Sequence, residues 1–144
     1  MSVEVNHVVV LVGAVASLIV GAAWYVAFGK LLQKIRPLSP AEQQELKRQT
    51  KITFGVGFLL TLLMSEVLFH FVVLSQNFTE MGPVQSGVVT AFFVYLGFIM
   101  PTQANHIIFG NYGKLPKKLK LFAINTGGQL VSTLAMGLTI GLLR

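Results

Sequence analysis

The chain contains no cysteine and no aspartate, has a single tryptophan, and is only 11% charged over its 144 residues. Without Cys, disulfides, thiolate metal sites and cysteine nucleophiles are excluded, and thiol content says nothing about the redox compartment. The five acidic residues are Glu4, Glu42, Glu45, Glu66 and Glu80. No apolar run therefore holds the paired carboxylates that acid–base chemistry uses. Gly-x-Ser-x-Gly and a phosphate-cradling glycine loop are also missing, so catalysis has no support in the motifs. We expect no enzyme, no cofactor and no metal. A Glu-x-x-x-His pair supplies two ligands at most, and the sequence offers no clear third.

What the chain has in excess is apolar sequence. It is 53% hydrophobic with a mean hydropathy of +0.71, against roughly 45–50% apolar and 25% charged in ordinary soluble domains. Four apolar runs, approximately 8–28, 52–74, 84–109 and 121–143, are each long enough for a helix to cross the ~30 Å hydrocarbon layer at ~1.5 Å per residue. They are too long and too little alternating for barrel strands. The expected fold is all-α: one transmembrane domain over 1–144, an antiparallel four-helix bundle inserted in the lipid bilayer.

Of the eleven Lys and Arg residues, ten lie in 30–51 and 114–120, and the other is Arg144. Because basic loops stay on the cytoplasmic side, segments 30–51 and 110–120 are expected there, with both termini outside a bacterial cytoplasmic membrane. That rule accounts for the net charge of +6, and the basic segments lack the interleaved aromatics of a base-stacking surface, so nucleic-acid binding is not expected. The segment from Met1 to His7 carries Glu4 and no basic residue, unlike a signal peptide, and the first span is expected to be retained. Ser39-Pro40-Ala41-Glu42 reads as a helix start with a capping box, and the residues after it contain no breaker. The second span is thus expected to continue from a cytoplasmic helical arm. Asn77-Phe78-Thr79 matches a glycosylation sequon by coincidence.

Small residues recur every fourth position at Gly13, Ser17 and Gly21, at Gly57, Thr61 and Ser65, and at Gly137 and Gly141, a spacing that lets helices approach closely in lipid. Most of these faces should pack internally, leaving one for a homodimer. Gly97 and Pro101 predict a kink in the third span. Phe28-Gly29 and Phe109-Gly110 each precede a basic segment, as a duplicated helical hairpin would have them.

Two polar groups of residues fall inside the runs. Glu66 and His70 lie one turn apart on one face, at a depth near Ser17, Tyr95 and Ser132, and a charge there costs roughly 2.5–3.5 kcal/mol on insertion scales. Glu66, His70 and Tyr95 are therefore either a proton or cation site, which a small proton-linked transporter or channel would use, or hydrogen-bonded interhelical glue. Glue is the preferred reading. Nearer the cytoplasmic side, Trp24, Tyr25, Thr102, Gln103, Asn105, His106, Asn125 and Gln129 form either a pocket for a lipid headgroup or small polar ligand, or an aromatic belt with amide hydrogen bonds, which we prefer. Lys30, Lys114, Lys117 and Lys118 are the candidate contacts to anionic lipid, at roughly 1 kcal/mol each when well placed.

Gly21-Ala-Ala-Trp24-Tyr25 with Phe28-Gly29-Lys30, Phe58-Leu-Leu-Thr61-Leu-Leu-Met64, Pro101 with Asn105 and Phe109, Leu119 through Asn125, Leu130-Val-Ser132 and Met136-Gly137 occur in the order found in a known family. In these the chain resembles the small bacterial membrane-protein family called domain of unknown function 1761, over nearly its whole length. The resemblance implies a four-helix integral membrane fold and no particular activity. The chain departs from the family pattern at Gly110, where an acidic residue is expected, and at Gly128, where an aromatic is. The leading functional expectation is a non-enzymatic membrane protein that binds a lipid, small ligand or partner.

Overall fold

The computed structural model describes residues 5–144; Glu4 and the other residues of segment 1–4 lie outside the described residues. The described residues form four long helices and no strand: α1 (His7–Ile35), α2 (Pro40–Phe78), α3 (Pro83–Phe109) and α4 (Leu115–Leu143). Each is long and apolar enough to cross a membrane.

The Asn6 side chain caps α1 by accepting from the N–H groups of Val8 and Val9 at 3.2 and 3.4 Å. α1 then runs seven residues beyond the expected end at Phe28. One glycine, Gly29, costs only about 1 kcal/mol in a helix interior, and the Lys-Leu-Leu-Gln-Lys that follows favours helix. The stop is Pro37, which pushes Arg36 out of the α region to φ −130°, ψ 84°. α2 starts where the capping box requires: Ser39 Oγ accepts from Glu42 N–H at 3.3 Å, and Ser39 N–H donates to the Glu42 carboxylate at 2.8 Å. It continues unbroken for 39 residues. α4 likewise starts six residues before the expected Leu121, with Pro116 in its first turn. The two basic segments are thus mostly helix ends rather than loops, and the true connections are 36–39 and 110–114.

The third helix deviates as Pro101 requires. Pro101 has no N–H to give Gly97, and the preceding residues Tyr95–Ile99 form a π turn in which Met100 N–H donates to Tyr95 C=O. Gly97 itself faces open space.

α1 and α3 pack chiefly against α4, while α2 packs mainly against α1 and α3. Along α1 and α4 the facing pairs are Gly13 with Ile140, Gly21 with Ser132, and Trp24 with Gly127 and Gly128. Along α3 and α4, Gly87 faces Gly137 and Pro83 faces Gly141, with no room for a side chain at either α4 glycine. Ser65 Oγ donates to Val10 C=O at 2.8 Å, joining α2 to α1, and Ser86 Oγ donates to Val72 C=O at 3.3 Å, joining α3 to α2. Interhelical bonds of this kind are each worth about 0.6 kcal/mol in a membrane. Gly57, by contrast, meets nothing within 4 Å. At the end remote from the two basic segments, Val9, Val10, Leu68, Phe69, Val72, Val73, Ala91, Met136 and Ile140 form a continuous apolar core, with Arg144 over the Phe69 ring. The first half of α2 packs on nothing comparable: every residue from Pro40 to Val56 is exposed.

Candidate functional site

At the basic end the helix termini surround a cavity of about 330 Å³ lined by Tyr25, Arg36, Gln103, His106, Ile107, Tyr112, Leu121 and Asn125. Tyr25, Gln103, His106 and Asn125 are the members of the expected polar pocket that the structure brings together. The other four go elsewhere. Trp24 turns toward α4, where its Nε1–H donates to Ile124 C=O at 2.9 Å and its ring lies on Gly127 and Gly128. Asn105 is exposed. Gln129, one turn deeper than Asn125, lines a separate cavity between α1, α2 and α4. Thr102 Oγ1 donates to its own helix at Phe98 C=O, 2.6 Å away.

Arg36 and Tyr112 had no signal in the apolar pattern because both lie outside the four runs, yet they close the pocket. Tyr112 is placed by the turn at Gly110–Gly113. Gly113 adopts φ +88°, where a side chain is strained. A Cβ on Gly110 would run into the Tyr112 ring and the carbonyl of His106. With glycine there, the Tyr112 hydroxyl reaches His106 Nε2 at 2.9 Å. The Arg36 guanidinium then lies over the Tyr112 ring, 5.4 Å from its centroid, a cation–π arrangement. Arg36 makes no ion pair among the described residues, and no acidic residue lines the cavity. The Tyr25 hydroxyl donates to Asn125 Oδ1 at 3.4 Å, and both residues line the pocket. A smaller cavity of about 190 Å³ beyond Tyr112 is lined by Arg36, Asn111, Gly113, Lys117 and Leu121 as well, so Arg36 borders both spaces.

The four lysines expected at a lipid surface differ in role. Lys30 and Lys114 are exposed. Lys117 lines the smaller cavity. Lys118 Nζ donates to Ile108 C=O at 2.8 Å, capping the end of α3.

Glu66 and His70 share a face of α2, but the His70 ring bonds the backbone: Nδ1 lies 2.8 Å from Glu66 C=O and 3.9 Å from the carboxylate. Tyr95 is buried and forms no hydrogen bond with either residue among the described residues. Neither Glu66 nor His70 lines the polar cavities above. Among the described residues no three His, Asp or Glu side chains gather as a metal site would need.

Fold and site together define a small all-helical protein with four helices able to span a membrane, consistent with a multi-pass membrane protein, and a polar pocket at its basic end. The chain belongs to the family described as Protein of unknown function (DUF1761), which matches residues 8–141. Comparison with curated proteins gave no match, and neither did comparison with solved structures.

Proposed function

We propose that this chain is a non-enzymatic protein of the bacterial cytoplasmic membrane, an antiparallel bundle with both termini outside, which binds an anionic group in the pocket at its cytoplasmic end. The observation that carries the reading is Arg36: a guanidinium that forms no direct ion pair among the described residues and acts on Glu42 only through a weak Coulombic attraction, bordering a cavity whose other polar walls are amides, phenols and an imidazole. Guanidinium presents a planar fork suited to phosphate or carboxylate, and Lys117 adds a second positive charge from the adjoining space. The membrane part of the reading is supported by exposed apolar side chains such as Val26 and Phe109, each 83% exposed. The facing pairs support the antiparallel order: positions rising along α1 meet positions falling along α4.

The experiment is native mass spectrometry of the detergent-solubilised protein with phosphatidylglycerol, with phosphatidylcholine of the same chains, and with inorganic phosphate. Phosphatidylglycerol should be retained over phosphatidylcholine, and Arg36→Gln should weaken retention by about tenfold or more, since hydrogen bonds to charged groups are worth about 1.5–3 kcal/mol. Retention of phosphate alone would identify a free anion as the ligand. Equal retention of the two lipids with no phosphate bound would refute the reading.

A further inference from the structure

A second cavity, of about 270 Å³, lies between α1, α2 and α4 toward the middle of the helices, where Ser17, Thr61, Gln129 and Ser132 supply its polar wall. Ser17 is only 7% exposed, yet it forms no hydrogen bond among the described residues. The Ser132 hydroxyl and the Gln129 amide are likewise without a partner among the described residues, while Thr61 Oγ1 donates to Gly57 C=O at 2.8 Å and keeps its acceptor capacity. Ser17 is buried, and Gln129 and Ser132 are partly buried; such groups, once surrounded by an apolar medium, cost on the order of 1–3 kcal/mol each when left unbonded. Three of them converging on one space point to hydrogen bonds supplied from outside the chain.

Two further features limit what supplies them. No charged residue lines the cavity, so an ionic headgroup would meet no counter-charge there. The rim is apolar: Leu18, Ala22 and Phe54 border the space, and Phe54, 73% exposed, stands on the part of α2 that has left the packing. The space therefore opens sideways, toward where acyl chains lie if the helices are in a bilayer. At the other end the apolar core of Val9, Val10, Leu68, Phe69 and their neighbours closes the way through.

We propose that this cavity is a binding site for an uncharged lipid bearing a free hydroxyl, of the diacylglycerol class. The hydroxyl hydrogen-bonds with Ser17, Gln129 and Ser132, and the acyl chains leave between α1 and α2 past Phe54. The site rests on the membrane reading but not on the anion pocket, with which it shares Tyr25 and not Arg36.

The test is native mass spectrometry of the full chain with 1,2-dioleoylglycerol and with its 3-O-acetyl derivative, which keeps the chains and loses the hydroxyl hydrogen. Dioleoylglycerol should be retained about tenfold or more over the capped compound. Gln129→Met and Ser132→Ala, each checked for a native circular dichroism spectrum, should reduce that retention, while Arg36→Gln leaves it unchanged. Equal retention of the two compounds, no retention of either, or loss on Arg36→Gln instead of Gln129→Met would each overturn the proposal. None of these results bears on phosphatidylglycerol retention, so the two sites stand or fall separately.

Discussion

Substituting Ala for Gly137 adds one methyl group to α4 at a point where α3 leaves no space for it. The new Cβ would overlap the carbonyl oxygen of Gly87 and stand 3.1 Å from the Gly87 carbonyl carbon and 2.5 Å from the Ala91 Cβ. Two of these obstacles are backbone atoms, which cannot rotate aside, so the helices must separate along their crossing. Overpacking of this kind costs about 1–3 kcal/mol, even after the helix-propensity gain of up to about 1 kcal/mol for Gly→Ala. Gly57 provides the internal control: it is in a helix, and its Cβ would meet nothing within 4 Å. Gly57→Ala should therefore be neutral or stabilising by up to about 1 kcal/mol, placing the two variants about 1–4 kcal/mol apart. Unfolding by sodium dodecyl sulfate from bicelles, followed by far-ultraviolet circular dichroism, measures that gap. Equal midpoints for Gly137→Ala and Gly57→Ala would refute the close α3–α4 crossing.

Trp24→Phe keeps an aromatic ring on Gly127 and Gly128 but removes the donor to Ile124 C=O; it should cost about 0.5–1.5 kcal/mol in the same unfolding assay. Gly110→Glu should drive the Tyr112 ring away from His106, seen as a changed Nε2 nitrogen shift of His106 by NMR. The hydrogen bond from Ser39 N–H, then that from the Ser39 hydroxyl, hold the Glu42 carboxyl below its usual range. A carboxyl with a depressed folded pKa contributes stability that is present above the ordinary carboxylate pKa and lost as pH falls through the folded one. Amide exchange at the start of α2 should therefore quicken in that acidic window once corrected for intrinsic rates, and a pH-independent protection factor would contradict the capping box.

The helices were legible because apolar length, caps and proline act locally. Ser39, Pro40 and Glu42 specify the start of α2 within four residues, and Pro101 specifies the disturbance in α3, though not that a π turn absorbs it. The ends of α1 and α4 were misplaced because charge marks where a helix leaves lipid, not where it stops: Lys30, Lys34, Lys117, Lys118 and Lys120 all sit on helical turns. The polar pocket was half legible. Depth along the helices groups Tyr25, Gln103, His106 and Asn125 correctly, but depth says nothing about azimuth, which is why Tyr95 could be grouped with Glu66 and Trp24 with Asn105. Rotation about each axis is set by the glycine contacts along α4, and those need pairwise geometry. Arg36 and Tyr112 depend on two connections whose paths no periodicity describes.

The bare half of α2 has a mechanical consequence. α2 runs without a break for 39 residues, about 58 Å at 1.5 Å per residue, and from Pro40 to Val56 every residue is exposed. It is a lever whose fulcrum is the contact of Ser65 with Val10. Gly55 and Gly57, which meet nothing within 4 Å, stand at the base of the arm and are where the helix bends most readily. Phe54 stands on the arm and lines the α1–α2 cavity, so bending at these glycines moves one wall of that opening.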